Sequence, residues 1–191
     1  MALGTFVAPQ GNFIKATPFD AAANAGHPLI VIVHDFKEDF STKEYPNERP
    51  VAFVMIADLA PVLQGQPAQL YANAILGGDA VADRLRAYAP GGNRNPDGEL
   101  MKLPVKLGTA KSQKSGRNYR TIEPLEGAEL KLAVTWDEKN PTVLQDERAR
   151  LQAEADAEAE KGGNAPKASN GKVDTKFNDD ALEAAIAGLK G

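Results

Sequence analysis

From Leu29 the chain is apolar with little interruption. Leu29 to Val33 is a β-branched stretch whose pattern continues through His34, Phe36 and Phe40. A polar turn, Ser41 to Pro50, follows, and then a second apolar run, Val51 to Ala57. Two such runs around a charged loop predict a hairpin, and runs apolar on both faces predict strands buried on both faces. A third strand is predicted over Ala68 to Leu76, where Leu70, Ala72, Ala74 and Leu76 alternate with Gln69, Tyr71, Asn73 and Ile75. Gly77 and Gly78 end it. Asp79 is then placed to cap a short helix over Ala80 to Ala89, with Val81, Leu85 and Tyr88 at helical spacing.

A third kind of segment begins at Leu100. Met101, Leu103, Val105 and Leu107 alternate with Lys102, Pro104 and Lys106, which predicts a half-buried strand. A polar turn, Ser112 to Gly116, leads to a return arm over Arg117 to Leu125. Glu129 to Trp136 (ELKLAVTW) also alternates and is predicted as a last strand that closes or extends the sheet. The 93–99 loop between helix and hairpin consists of turn formers and charges and is expected to be exposed and mobile. Residues 1–26 are rich in Gly, Ala and Pro and read as an irregular arm, with a short strand at Asn12 to Lys15. The order strand, strand, strand, short helix, strand, strand predicts a mainly β domain over 27–136, a five-stranded OB-like barrel with its helix between strands 3 and 4.

Beyond it, 137–191 reads as a flexible, acidic, partly helical tail. Val143 to Lys161 has strong helix formers but few large apolar residues, which predicts a marginal solvated helix rather than a core element. A polar linker, Gly162 to Lys176, precedes a final stripe of Leu182, Ala185, Ile186 and Leu189. That stripe suits docking on the chain's own domain, on a second copy, or on a partner protein.

Charge changes the picture of the hairpin. The 191 residues carry a formal charge of -4, yet Lys102, Lys106, Lys111, Lys114, Arg117 and Arg120 lie between Leu100 and Ile122 with no Asp or Glu among them. Cations interleaved with an exposed ring suit a single-stranded nucleic acid, whose phosphates they neutralise and whose bases the ring stacks on. A second reading stays open, in which lysines protect a sheet edge. In the first reading Lys106, Lys111, Lys114, Arg117 and Arg120 are the phosphate contacts and Tyr119 and Tyr71 the stacking rings. Arg84, Arg86 and Arg94 then extend the path.

At this point the chain resembles the phage-encoded single-stranded DNA-binding proteins of tailed phages. The resemblance is carried by HPLIVIVHDFKEDF, RPVAFVMIADL, LYANAILGGDAVADRLRAY and VKLGTAKSQKSGRNYRTIEPL, over about residues 27 to 136. It implies sequence-tolerant binding of single strands during DNA replication or recombination, in the host cytoplasm, with replication or recombination proteins as further partners through the tail and self-association common. Bacterial-type members end in a short acidic tip with a terminal Phe. Here the chain reads Ala187-Gly188-Leu189-Lys190-Gly191, a departure that bears on how partners are recruited.

Enzyme chemistry finds little to work with. There is no cysteine, so disulfides, thiolate metal sites and cysteine nucleophiles are excluded. Only His27 and His34 supply imidazoles, and neither a GxxxxGK[ST] nor a GxGxxG phosphate loop is present. The expectation is a protein without catalysis, cofactor or metal. No basic leader precedes the first charge at Lys15, and no apolar run reaches the ~20 residues of a membrane helix, so a protein off the membrane is expected. A virion or assembly protein, or a replication scaffold, is the alternative from another class.

Overall fold

The computed structural model describes residues 14, 16–41 and 47–161. Five strands, β1 (Leu29–Phe40), β2 (Arg49–Asp58), β3 (Gln69–Gly77), β4 (Lys102–Lys111) and β5 (Asn118–Pro124), form one antiparallel sheet in the order β3-β2-β1-β4-β5. A 3-10 turn, Pro61–Gln64, links β2 to β3. Helix α1 (Asp79–Arg86) follows β3, and α2 (Gly127–Lys139) and α3 (Val143–Lys161) follow β5. The sheet curls into a half barrel. Residues expected in the 1–13 arm, in the 42–46 turn, in the 162–176 linker and in the final apolar stripe lie outside the described residues, as does most of the strand expected at 12–15.

Both faces of β1 and β2 are covered, as their unbroken apolar runs require. Leu29, Val31 and Val33 of β1 join Ala52, Val54 and Ile56 of β2 in an inner core. That core is completed by Val81 and Leu85 of α1, by Leu107 and Ile122 of the β4–β5 hairpin, and by Phe19 and Ala21 of the N-terminal arm. The alternate residues Ile30, Ile32, Met55 and Ala57 face the other way, onto Ala133 of α2 and Leu144 of α3. A third, smaller cluster holds Phe40, Val51, Phe53 and Ile75.

Besides a register shift between Lys37 and Phe40 near the end of β1, two bulges reset the alternation. Val33 pairs with Val54 and Asp35 with Phe53, which leaves His34 as the extra residue of β1. In β3 the partners step from Ala74 to Tyr71 while β2 steps only from Val54 to Ile56, three residues against two. The second bulge moves Tyr71 onto the inner face beside Ala74 and Leu76.

Several expectations are corrected here. Glu129 to Trp136 is not a strand but the body of α2. Its half-buried and buried positions, Glu129, Leu132, Ala133, Trp136 and Asp137, fall at helical spacing, while Leu130 and Val134 point to solvent. Trp136 therefore packs on the outer face of the sheet. The start of α3 is a core element, since Leu144 is buried against the sheet. Asp79 is the first residue of α1. The capping position belongs to Gly78, whose φ of 96° suits a residue without Cβ.

The 93–99 loop is organised rather than loose. Asn95 is buried, and its Nδ2 donates to the carbonyls of Tyr88 (3.0 Å) and Glu99 (2.7 Å).

Candidate nucleic-acid interface

The basic hairpin is built by β4 and β5, whose register runs from Val105↔Pro124 to Lys111↔Asn118. Its turn is fixed locally. Ser112 N–H donates to the Arg117 carbonyl (2.9 Å) and Gly116 N–H to the Ser112 carbonyl (2.8 Å), with Gly116 at φ 67°. Ser112 Oγ accepts from Ser115 N–H (3.2 Å), so the loop holds one shape through short polar residues.

Alternation sorts the side chains. Leu107 and Ile122 lie in the inner core, so their same-face successors Thr109, Lys111, Asn118 and Arg120 continue that face beyond it. Tyr119 pairs with Ala110 on the opposite face, where its ring is 44% exposed. Lys111, Lys114 and Arg117 are exposed at the tip. Arg120 is half-buried and close enough to Asp20 to help hold that carboxyl below its ordinary value. Hydrogen bonds from Ala23 and Ala22 N–H are the main cause of that shift.

Toward the base the cations are already engaged. Lys102 Nζ lies 2.6 Å from Asp137 Oδ1, and Lys106 Nζ lies 3.1 Å from Glu129 Oε2, both partners on α2. The expected contact Lys106 is therefore half-buried and ion-paired. The cationic ribbon narrows to its outer end, Lys111 to Arg120.

The remaining expected site residues separate. Tyr71 is not on a polar face: it is only 7% exposed, packs edge-on against Phe19 with ring centroids 4.9 Å apart, and cannot offer a stacking face. Burial accordingly raises its hydroxyl pKa. The bulge in β3 is the physical reason, because it breaks the strict alternation that put Tyr71 beside Gln69 and Asn73. Arg84 donates from Nη1 to the Ile122 carbonyl, which ties α1 to the edge strand β5. Arg86 pairs with Glu38 (2.5 Å) and lies over the Phe36 ring, 5.3 Å from its centroid. Arg94 is exposed in the loop after α1.

Two polar clusters lie apart from the hairpin. Asp58 is buried at the end of β2, where it accepts from Ala60 N–H (2.9 Å) and meets His27 Nδ1 at 2.9 Å. On the outer face, Arg148 of α3 donates from Nη1 to His34 Nε2 at 2.8 Å. A guanidinium has no acceptor, so this contact requires a neutral imidazole with its proton on Nδ1. Burial, and then the Arg148 charge, push the His34 pKa down to about 4. Sequence reading gave no sign of this pair, which joins residues 114 positions apart.

Among the described residues no group of three or more His, Asp and Glu side chains could hold a metal ion, and no helix is long and apolar enough to cross a membrane. Comparison with protein-family models, with characterised proteins and with solved structures gives no match.

Proposed function

We propose that this chain is a non-enzymatic, sequence-tolerant single-stranded DNA-binding protein of the kind phages use in DNA replication or recombination, working in the host cytoplasm. The observation that carries the reading is the hairpin tip. Lys111, Lys114 and Arg117 stand exposed at the tip and the ring of Tyr119 is exposed on the outer face of β5, in a stretch without a single carboxylate from Leu100 to Ile122. Ammonium and guanidinium groups neutralise phosphates, and the ring stacks on a base of any identity. A curled five-stranded sheet in which β1 pairs with both β2 and β4 is compatible with an OB-like barrel, a common platform for such binding.

The test replaces Lys111, Lys114 and Arg117 together by Ala and compares binding of labelled single-stranded and duplex DNA in gel shifts. The expected result is strong single-strand binding by the parent, weak duplex binding, and loss of the single-strand complex in the variant. Equal binding by parent and variant rules out the tip as the interface. Absence of binding by the parent favours the second reading, an assembly or scaffold protein. Leu130 and Val134, exposed one helical turn apart on α2, support that reading as a protein contact.

A further inference from the structure

The base of the hairpin carries two lysines that the tip does not use. Lys102 and Lys106 stand four residues apart on β4, about 13 Å along a strand. Glu129 and Asp137 stand eight residues apart on α2, about 12 Å along a helix. The two spacings match, so α2 runs antiparallel to β4 with both ion pairs in register: Lys102 with Asp137 at 2.6 Å, Lys106 with Glu129 at 3.1 Å. Lys102 also donates to the Pro141 carbonyl at 2.5 Å, just past the end of α2. Glu123, across the ladder from Lys106, adds a third carboxylate at that end.

Resting on the reading of the hairpin as a single-strand interface, we infer that Lys102 and Lys106 are a latent phosphate-binding row, which the α2 carboxylates keep occupied while the hairpin tip binds a strand and which opens when those carboxylates are neutralised. The four side chains keep 25% to 39% of their surface exposed, so a phosphate reaches them without unfolding. Ion pairs this accessible contribute no more than about 1 kcal/mol, and a phosphate offers the same anionic oxygens, so the row takes a phosphate once the carboxylate charge is removed. The helix itself need not leave. Leu132, Ala133 and Trp136 anchor it to the outer core, and only the lysine and carboxylate side chains have to rotate.

The experiment measures binding of a labelled ~30-nucleotide oligothymidylate to the full chain across a salt series. In E129Q/D137N both lysines lose their α2 partners, and the slope of log K against log salt steepens by up to about 1.4, since each phosphate contact on a single strand contributes ~0.7. Affinity at low salt rises about tenfold. The control E138Q/E158Q removes the same charge from exposed carboxylates, and its slope stays at the parent value. Adding K102M/K106M to E129Q/D137N cancels the gain, whereas K102M/K106M in the parent leaves the slope unchanged.

A parent that binds, with the same slope in E129Q/D137N, overturns the latent row and leaves the tip reading intact. Loss of slope from K102M/K106M in the parent overturns it too, because the lysines then already touch the strand. No binding by either the parent or E129Q/D137N overturns both the row and the function on which it rests.

Discussion

Asn95 and Gly92 show how single residues set the shape of a loop that composition alone reads as loose. A Cβ on Gly92 meets the carbonyl oxygens of Arg86 at 2.5 Å and Ala87 at 2.6 Å, backbone atoms that cannot swing away. Gly92→Ala is expected to destabilise by about 2–3 kcal/mol in urea denaturation, as overpacking does. Asn95→Ala strands the Tyr88 and Glu99 carbonyls and should cost about 2 kcal/mol. Gly108 is the instructive contrast. Its Cβ meets the carboxylate end of Glu123 at 2.8 Å, which can rotate, so Gly108→Ala should cost well under the Gly92 change.

His34 adds a pH dependence at the same scale. In the unfolded chain its imidazole takes a proton near the ordinary 6.5, and in the fold only near 4. Between those values the unfolded state binds more protons, so stability is complete above about pH 6.5 and falls as pH drops toward 4. Allowing for solvent around a ring that is only partly buried, the loss by pH 5 is about 1–2 kcal/mol. His34→Gln, which cannot be protonated, should flatten the denaturation midpoint between pH 7 and 5. An unchanged pH slope in that variant means that another group carries it.

At the scale of elements, the strands were legible because β1 and β2 are apolar on both faces and the arms of the hairpin alternate cleanly. What misled was phase. Leu130, Leu132, Val134 and Trp136 alternate like a strand, yet the residues that α2 turns inward are Leu132, Ala133 and Trp136, a helical set in which small Ala133 gives no sequence signal. Tyr71 was misplaced because one bulge in β3 reverses the face of every residue before it. The cations of the hairpin were legible by charge. Which of them are already paired was not, since Lys106 meets Glu129 across 23 residues and Lys102 meets Asp137 across 35.

The α3 helix makes the point testable. Leu144 is 2% exposed and fills the outer core, so Leu144→Ala should lower stability by about 2–4 kcal/mol. A solvated tail would show a change within about 0.5 kcal/mol, the range of ordinary surface substitutions.

For the whole molecule, charge is distributed so that a chain with a formal charge of -4 carries a hairpin whose residues from Leu100 to Ile122 include six cations and no carboxylate. The outer half of the hairpin projects beyond the core residues Leu107 and Ile122, and α2 neutralises the base. Binding should therefore depend on a few phosphate contacts and one stacking ring, not on a long basic groove. Tyr119→Ala should weaken single-strand binding about tenfold, in line with the roughly 1–3 kcal/mol of a base–aromatic stack, with little change in the salt slope.

The most direct measurement is a fluorescence anisotropy titration of the full chain with a labelled ~30-nucleotide single strand from low to high salt, beside the matching duplex. The expected result is single-strand binding whose log K falls with log salt at a slope of about -2, the phosphates of Lys111, Lys114 and Arg117 at ~0.7 each, with the duplex bound far more weakly. No binding at the lowest salt, or equal affinity for strand and duplex, contradicts it.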